Sequence, residues 1–355
     1  MRALGIDIGT TSICMAGYEE GAEGLPFVTN RQNTFLDGTF EQDPEAIIDK
    51  VMDMLAEAEQ KGFGASRIDA VGISSQMHGI VYIDGEGRAV SPLYTWKDEK
   101  GKEHMGDGMS YEAFLRLHTG LPLYSGYGTV THFYLGKKGR IPEGAERFAG
   151  IGDYVAMRLT GRKAPLVEES MAAGFGGFDL GKGGFVLDRL ARTGVDVGFY
   201  PELSRKGERA GDWEGVPVCC AVGDNQASFY GAVDRPEEQV SINVGTGSQV
   251  SVFDSRLMPA QGVEIRPFFG SGYLYVGASL NGGKVYERLA AFFEETVEAF
   301  TGERVNAYET MARLGGGKRD TALRIRPLLY GERGDGAENT GEGDRNEDNS
   351  NVYNT

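Results

Sequence analysis

LGIDIGTTS, residues 4–12, is the stretch that decides the fold of this chain. Apolar residues alternate there with small or polar ones until a glycine interrupts the pattern: Leu4, Ile6 and Ile8 against Gly5 and Asp7, then Gly9. Strict alternation predicts a strand with one buried face, and the Gly-Thr-rich segment after it predicts a tight turn into a second strand. Asp7 and the hydroxyl residues Thr10, Thr11 and Ser12 should therefore lie at the end of a hairpin.

A second stretch, QVSINVGTGSQVSVF at residues 239–253, repeats this pattern. Alternating apolar residues flank a Gly-Thr-Gly turn, with Val240, Ile242 and Val244 before it and Val250 and Val252 after it. Two hairpins of one kind, far apart in the chain, suggest two related domains that face each other. A length of 355 residues with 40% apolar residues is enough to give each of two domains a core.

Residues 43–79 predict a helix followed by a strand. Asp43 is a favourable N-cap, Pro44 suits the first helical position, and Gly62 is expected to end the helix. One helical face is apolar, with Ile47, Ile48, Val51, Met54 and Leu55. RIDAVGISSQMHG (residues 67–79) follows as a buried strand that ends in polar residues, so we expect an α/β sheet with crossover helices.

The charge and the cysteines restrict the classes of partner and compartment. A formal net charge of −16 disfavours nucleic acid and anionic membranes, because the protein surface would repel both. The three cysteines, an odd number, do not form a disulfide framework, which favours a reducing cytoplasm. The N-terminal segment has no long apolar run, so neither a signal peptide nor a membrane span is expected there. Cys219 and Cys220, within an apolar run, are expected to be inert core residues.

The two Gly-Thr turns are candidate phosphate sites. Such turns direct several backbone N–H groups and hydroxyls to one point, which suits phosphate oxygens. Either turn alone is as well explained as an ordinary hairpin turn, but the pair, with Asp7 on the strand that leads into the first, is less ordinary. Two turns, one per domain, would be able to hold one polyphosphate. Neither is a P-loop, because the sequence lacks the pattern G-x-x-x-x-G-K-[ST].

Asp224, in AVGDNQAS, follows an apolar strand at the start of a predicted helix. Local sequence favours a helix N-cap at this position. The alternative is a general base, because beside a phosphoryl donor this carboxylate would take the proton of an attacking sugar hydroxyl.

Two further polar clusters are candidates for binding a small polar ligand. Gln76, Met77 and His78 end a strand and offer hydrogen bonds and an apolar contact. Trp96 and Asp98 are explained equally well as ligand contacts or as a packed tryptophan with a solvated acid. The remaining histidines show no metal-ligand spacing, so no zinc site is predicted; they are His104, His118 and His132.

The chain resembles the FGGY carbohydrate kinases from about Leu4 to Arg333, and within that family it resembles the sedoheptulokinase type most. The motifs that carry the resemblance occur in the family's order: GIDIGTTS, GISSQMHGIVY, TWKD, GDYVAMRLTG, VGDNQAS, INVGTGSQ, ASLNGG and PLLYGER. QMHG together with ASLNGG points away from glycerol kinases. The resemblance implies an α/β fold of two actin-like (ribonuclease H-like, ASKHA) domains around a cleft, which close on a sugar and ATP.

The resemblance also implies roles for individual residues. Asp224 would be the general base, and Asp7 with Asp224 would hold Mg²⁺ through water. The residues implied at the nucleotide are Asp7, Gly9, Thr10, Thr11 and Ser12 in the first turn and Gly245, Thr246 and Gly247 in the second. The residues implied at the sugar are Gln76, Met77, His78, Trp96, Asp98, Asp224 and Asn225. The implied reaction moves the γ-phosphoryl group of ATP to a primary hydroxyl of a ketose.

Two features depart from the family pattern. The family usually carries Lys or Arg where this chain has Cys14, so weaker nucleotide binding is expected. After Arg333 the sequence has too few apolar residues for a core, so the acidic residues 334–355 are expected to be disordered. The implied domains are residues 1–232, a partial second domain at residues 233–333, and this tail. Truncation with a frameshifted or unrelated tail is our hypothesis, and a natural acidic tail on a shortened domain is the alternative.

Three functions remain open from the sequence. A sedoheptulose kinase is expected, with ATP and Mg²⁺ as cofactors, although loss of the adenosine-binding region would impair it. A xylulokinase-like pentulose kinase is the alternative within the enzymes, and an inactive sugar-binding remnant is the alternative outside them. The expected partners are a sugar and a nucleotide in the cytoplasm, with no nucleic acid and no membrane, and a homodimer is left open.

Overall fold

The structure, a computed structural model, describes residues 1–106, 108–205, 208–245, 247–260, 262–279, 281–315 and 329. Thr246 and the predicted tail at residues 334–355 lie outside these described residues. The chain divides into two compact units. The first consists of Met1–Asp234, Ser255–Leu257 and Arg266–Tyr273, and the second consists of Arg235–Asp254, Met258–Ile265 and Leu274–Thr355.

The first unit contains both strands and helices. Its strands are β1 (Arg2–Ile8), β2 (Ser12–Glu19), β3 (Phe27–Gln32), β4 (Glu41–Gln42), β5 (Ala70–Ser75), β6 (Val81–Ile83), β7 (Leu93–Tyr94), β8 (Arg147–Ala149), β9 (Leu166–Val167), β10 (Phe178–Asp179), β11 (Gly184–Phe185), β12 (Glu202–Leu203), β13 (Arg209–Trp213), β14 (Val216–Cys219) and β15 (Val222–Gly223). Its helices are α1 (Pro44–Ala58), α2 (Tyr111–Thr119), α3 (Gly128–Lys137), α4 (Ile151–Thr160), α5 (Glu169–Gly174), α6 (Leu187–Ala191) and α7 (Asp224–Ala232).

One mixed sheet organises the first unit, with strands in the order β13-β14-β5-β1-β2-β3 and with β15 also beside β5. The predicted first hairpin is confirmed, because β1 and β2 pair antiparallel with Asp7 opposite Cys14. β5 runs parallel to β1 and places Ser74 beside Asp7. The pleat leaves Asp7 on one face and buries the apolar residues of β1 on the other, at 1% exposure or less: Leu4, Ile6 and Ile8.

Helices α1 and α4 pack on the core face of this sheet. The start of α1 is as predicted, since the Asp43 side chain accepts hydrogen bonds from the backbone N–H groups of Glu45 and Ala46. Its buried face comprises Ile47, Ile48, Val51, Met54, Leu55 and Ala58. The α-helix ends at Ala58, before the predicted Gly62, because one wider helical turn follows and Gly62 then adopts a left-handed φ of 86°.

A second cluster of buried residues in the first unit is rich in aromatic side chains and includes α3 and α5. His132 lies within it at 1% exposure. Its Nε2 lies 2.8 Å from the backbone carbonyl oxygen of Asp196 and its Nδ1 lies 2.6 Å from the Tyr82 hydroxyl. Because a carbonyl oxygen only accepts, Nε2 carries the proton and Nδ1 accepts from Tyr82. Burial lowers the pKa of His132, so the neutral ring is the form that fits this cluster.

The three cysteines are free thiols in different environments. Cys220 is buried at 5% exposure, as predicted. The prediction that Cys219 is a core residue is wrong, because Cys219 is exposed. Val218 of β14 pairs with Val71 of β5 and both are buried, so the next residue of β14 lies on the opposite, open face of the sheet.

The remaining elements are β16 (Val240–Val244), β17 (Ser248–Asp254), β18 (Glu264–Phe268), β19 (Gly272–Ser279), α8 (Gly283–Thr301) and α9 (Ala307–Gly315). They belong to the second unit, except that the last three residues of β18 and the first two of β19 belong to the first. The strands form one sheet in the order β16-β17-β19-β18. The predicted second hairpin is confirmed, since β16 and β17 pair antiparallel with Ile242 opposite Val250. Helix α8 ends at Thr301 and is capped by Gly302, which has a left-handed φ of 72°. None of the helices in the described parts of the chain has the length and apolar character needed to cross a lipid bilayer.

Candidate active site

Two carboxylates lie at the carboxyl ends of β1 and β15, two strands of the first unit that both run parallel to β5. The register places Asp7 of β1 beside Ser74 of β5, and Ser74 beside Val222 of β15. Ser74 Oγ donates a hydrogen bond of 2.7 Å to Asp7 Oδ1. Asp224 follows directly after β15. The sheet therefore brings Asp7 and Asp224 to the same edge, which is where open parallel sheets bind ligands.

Asp224 is the first residue of α7, and Gly223 occupies the N-cap position. Capping therefore does not account for this aspartate. Its Oδ1 accepts hydrogen bonds from the backbone N–H and the side-chain amide of Asn225, at 2.8 and 2.9 Å. Burial raises the pKa of Asp224, the hydrogen bonds from Asn225 and the charge of Arg266 oppose this rise, and the charge of Asp7 adds to it. The result is a half-buried carboxyl that binds a proton more tightly than an ordinary aspartate.

Hydrogen bonds, several of them from side chains, hold the first turn in place. Gly9 N–H donates to the Ser12 carbonyl oxygen at 2.9 Å and closes the turn. The Thr10 hydroxyl donates to Gln76 Oε1 at 3.1 Å and accepts from Trp96 Nε1 at 2.9 Å. Thr10 thus links the predicted nucleotide residues to the predicted sugar residues. The side chains of Thr11 and Ser12 are exposed at this turn.

The loop Gln76–Met77–His78 is tightly held. Gln76 is 4% exposed, and its side-chain Nε2 donates to Gln42 Oε1 at 2.9 Å. Met77 is 3% exposed. His78 has a left-handed φ of 73°, its Nδ1 donates to the Gly174 carbonyl oxygen at 2.7 Å, and its ring stacks on Tyr127 at 4.5 Å between centroids. These contacts fix the orientation of the His78 ring.

Asp98 is held by an ion pair. The carboxylate is 4% exposed, and its Oδ2 lies 2.8 Å from Lys100 Nζ, which also lies 2.8 Å from Glu41 Oε1. Its Oδ1 accepts from the Lys100 backbone N–H at 2.8 Å. The description of Asp98 as a solvated acid is therefore wrong. Trp96 is half-buried, and its indole contact with Thr10 places it beside the first turn.

Two residues at this site were missed by sequence reasoning. Gln42 donates to the Thr10 carbonyl oxygen at 2.8 Å and receives the amide of Gln76, although it lies far from both in sequence. Arg266 is 8% exposed, and its Nη1 lies 3.3 Å from Met77 Sδ. A charged residue in the strand motif VEIRPFF was the available signal for Arg266, because an arginine at an inward position needs a partner.

The second turn lies in the second unit and is held by backbone contacts. Gly245 N–H donates to the Gly247 carbonyl oxygen at 2.9 Å, and Gly283 N–H donates to the Gly245 carbonyl oxygen at 2.6 Å. A side chain at Gly282 would place its Cβ 2.2 Å from the Gly247 carbonyl oxygen. The ASLNGG motif thus packs its glycines directly on this turn. The predicted role of Thr246 falls on a residue outside the described part of the chain.

The described residues contain no group of three or more His, Cys, Asp or Glu side chains arranged to hold a metal ion by themselves. Asp7 and Asp224 form only a pair of carboxylates. Such a pair suits a hydrated Mg²⁺, which keeps several waters and uses one or two protein carboxylates.

Comparisons with known proteins identify the family. Residues 2–231 match the family model described as the FGGY family of carbohydrate kinases, N-terminal domain. Sedoheptulokinase of Mus musculus is 31% identical, and sedoheptulokinase of Homo sapiens is 29% identical, each over 93% of this chain. The chain spans 77% of the length of each of these two relatives.

A solved structure of ligand-bound xylulose kinase from Lactobacillus acidophilus shares the fold, with a TM-score of 0.70 at 21% identity. The match covers 81% of this chain and 61% of the xylulose kinase. The predicted actin-like α/β fold is confirmed by this likeness. Together with the family match over residues 2–231, it shows that the chain belongs to the FGGY family of carbohydrate kinases.

Proposed function

We propose that this chain transfers the γ-phosphoryl group of ATP to a primary hydroxyl of a ketose, with Asp224 as the general base. The observation that carries the proposal is the placement of Asp7 and Asp224 at the carboxyl ends of the two strands that flank β5, which itself leads into the loop Gln76–Met77–His78. Sedoheptulose is the proposed acceptor, because the two sedoheptulokinases align over 93% of the chain. Xylulose is the second candidate acceptor, because the fold is shared with a xylulose kinase.

The environment of Asp224 suits a base. Burial raises the pKa of Asp224 and makes its carboxylate a stronger proton acceptor than an exposed aspartate. The charge of the nearby Arg266 opposes this rise of the pKa and favours the charged carboxylate. The carboxylate would accept the proton from the sugar hydroxyl as that oxygen attacks phosphorus, and most of the remaining catalysis would come from positioning.

Asp7 and Asp224 are the residues that would hold Mg²⁺. Asp7 is exposed on the open face of the sheet. Its cross-strand neighbour is Cys14, whose side chain carries no positive charge. Burial and the charge of Asp7 raise the pKa of Cys14, so its thiol stays neutral and leaves the charge of Asp7 for a cation to balance. When bound, the ion would supply charge neutralisation at the phosphoryl oxygens.

The nucleotide residues are proposed to work mainly through their backbones. The Thr10 hydroxyl already bonds to Gln76 and Trp96, so the N–H groups and exposed side chains of Thr11 and Ser12 are the better phosphate donors in the first turn. Gly9 closes that turn. In the second unit, the proposed phosphate residues are Gly245, Thr246 and Gly247. The absence of a cation at Cys14 is expected to weaken nucleotide binding.

The sugar residues are proposed to divide into contacts and supports. His78, Trp96 and Asn225 are half-buried side chains at this edge of the sheet. Those three residues are proposed as direct contacts to the ketose. Gln76, Met77 and Asp98 are each at most 4% exposed, so they are proposed to act mainly by holding the loops in place.

We also propose that residues 1–232 form the sugar-binding domain and that the second domain begins at residue 233. A cytoplasmic location is proposed because all three cysteines are free thiols.

A coupled assay with ATP and Mg²⁺ tests the proposed function, with sedoheptulose and xylulose as alternative acceptors. Turnover of one ketose is expected, and Asp224→Asn should reduce kcat by about 10²–10⁴-fold. Asp43→Asn is the matched control, because asparagine caps helix α1 as well as aspartate does. Absence of turnover with both sugars, or full turnover by Asp224→Asn, would overturn the proposal.

The pH dependence of kcat/KM gives a second test. Asp224 must be deprotonated to accept a proton, so activity should fall on the acid side. Because burial raises the pKa of Asp224, this loss should occur at a higher pH than an ordinary aspartate would give. A profile that stays flat down to pH about 4 would exclude Asp224 as the base.

A further inference from the structure

Helix α5 connects two parts of the candidate site within the first unit. Near its start, the hydroxyl oxygen of Ser170 accepts a hydrogen bond of 2.9 Å from the backbone N–H of Gly223, the residue before Asp224. At its end, the carbonyl oxygen of Gly174 accepts from His78 Nδ1 at 2.7 Å. One short helix therefore contacts both the turn that carries the proposed base and the loop proposed to contact the sugar.

Glu168 fixes the direction of the Ser170 hydroxyl. The Glu168 carboxylate caps α5 by accepting the Ser170 backbone N–H at 2.7 Å, and the same oxygen accepts the Ser170 hydroxyl in a short hydrogen bond. The hydroxyl proton is thereby directed toward Glu168, which leaves a lone pair of the hydroxyl oxygen for Gly223 N–H. Ser170 is fully buried at 0% exposure, so water does not replace this contact without a local opening.

The turn at Gly223 has no free space in which to relax. A Cβ at Gly223 would lie 2.6 Å from Met77 Sδ and 2.5 Å from Gln226 Oε1. Gln226 is in turn held by its amide, which donates to the Pro267 carbonyl oxygen at 3.1 Å. The position of Gly223 therefore sets the position of Asp224 at the start of α7.

We propose that Ser170, oriented by Glu168, is a positioning residue that holds Gly223 and thereby places the Asp224 carboxylate at the reacting hydroxyl. The inference rests on the proposed function, since Ser170 acts through the proposed base and touches no substrate. Loss of the Ser170 hydroxyl leaves Gly223 N–H buried without its acceptor. The N-terminal turn of α7 should then open more often and spend less time in the geometry needed for proton transfer.

Three variants of the full chain test this inference. Ser170→Ala removes the hydroxyl and Ser170→Thr keeps it. Ser91→Ala is the matched control, because the Ser91 hydroxyl also accepts a backbone N–H, that of Tyr82 at 2.9 Å, and donates to a carbonyl oxygen, that of Pro92 at 2.8 Å. All three are compared with the unsubstituted chain by amide hydrogen exchange of peptides covering residues 222–232, by melting temperature and by steady-state kinetics.

For Ser170→Ala, exchange in residues 222–232 should rise about tenfold, and kcat should fall about 10-fold to 100-fold while the KM for ATP changes less than threefold. Ser170→Thr should lie nearer the unsubstituted chain in both respects. Ser91→Ala should leave exchange in residues 222–232 and kcat unchanged.

Unchanged exchange in Ser170→Ala would overturn the inference, and so would raised exchange with unchanged kcat. An equal loss of kcat in Ser91→Ala would also overturn it, because the effect would then be one of general stability. Absence of turnover in the unsubstituted chain would contradict the proposed function instead. In that case the exchange data alone would still decide whether Ser170 holds the turn.

Discussion

The two Gly-Thr hairpins have the same sequence pattern and opposite burial. In the first unit, Ile6, Ile8 and Ile13 of β1 and β2 are at most 1% exposed. In the second unit, the alternating residues of β16 and β17 are between 39% and 68% exposed: Val240, Ile242, Val244, Val250 and Val252. Both hairpins pair antiparallel as their sequences predict. Alternation therefore specifies the hairpin and its apolar face, but not whether that face is covered.

The difference lies in what packs against each hairpin. Helices α1 and α4 cover β1 and its neighbours, and their apolar side chains join one core cluster with the strands. In the described part of the second unit, α8 buries Val285 and Ala290 but leaves other large apolar side chains exposed by 42% or more: Leu289, Phe292, Phe293 and Phe300. Burial is a tertiary property that depends on segments distant in sequence.

The largest difference should appear when the same side chain is truncated in both hairpins. Ile13→Ala removes buried methyl groups from a packed core and should reduce the free energy of unfolding by about 2–5 kcal/mol. Ile242, at 68% exposure, should lose about 0.5 kcal/mol or less on the same change. Urea denaturation of both variants measures the two losses of unfolding free energy. Equal losses would show that the β16–β17 face is covered in solution.

The next largest effect concerns the turns, since the first is held by side chains and the second by backbone contact. Gly282→Ala would place a Cβ 2.2 Å from the Gly247 carbonyl oxygen and should cost about 1–3 kcal/mol. Gly245→Ala is the control, because its Cβ would meet nothing within 4 Å. Hydrogen exchange of the β16–β17 peptides measures the loss of stability that each substitution causes. A neutral Gly282→Ala would contradict the close packing of ASLNGG on this turn.

A smaller effect concerns the pH dependence of stability, which should differ between the two units. Burial lowers the pKa of His132 in the folded state, so below pH about 6.5 the unfolded state binds a proton that the folded state excludes. Stability of the first unit is therefore complete above that pH and should fall as the pH drops below it. All four histidines of the sequence precede residue 133, so the second unit should not share this loss.

Hydrogen exchange at a series of pH values measures the stability of each unit and tests this difference. His118→Asn is the control. Because His118 is exposed, this substitution should leave the pH dependence of the first unit's stability unchanged. His132→Asn should flatten the dependence between pH 5 and 7. A first unit whose stability is constant over this range would contradict the neutral, buried state of His132.

The smallest expected effect is at the surface of the second hairpin. Val244 is 66% exposed, so Val244→Thr, which keeps the shape of the side chain, should change stability by about 0.5 kcal/mol or less. The added hydroxyl should reduce self-association of the exposed apolar face, which light scattering over a concentration series would detect. A loss of more than about 1 kcal/mol would indicate that Val244 is buried in solution.

Local sequence was sufficient for the elements that position the site. The alternation of β1 and the cap at Asp43 act within a few residues, so both hairpins and the start of α1 follow from the chain itself. The strand ends at Asp7 and Gln76 followed from the same patterns. Asp224 lies directly after β15, where an apolar run meets a helix.

The contacts between these elements did not follow from local sequence. The Thr10 hydroxyl bonds to Gln76 and Trp96, so it supports the loop Gln76–Met77–His78. Gln42 joins the same network from another part of the chain. The prediction that Cys219 is buried was wrong, because the register of β14 with β5 decides which residues of β14 face the core. Each of these depends on pairing across long sequence separations, which a single sequence does not reveal.

We propose that Asp224, at the edge of the first unit's sheet, is the base for a ketose hydroxyl. A crystal structure of the full chain with sedoheptulose bound would test it most directly. We expect a primary hydroxyl oxygen within about 2.6–3.2 Å of an Asp224 carboxylate oxygen, with His78 and Trp96 in contact with the sugar. A sugar bound elsewhere, or bound here with every primary hydroxyl out of reach of Asp224, would contradict it.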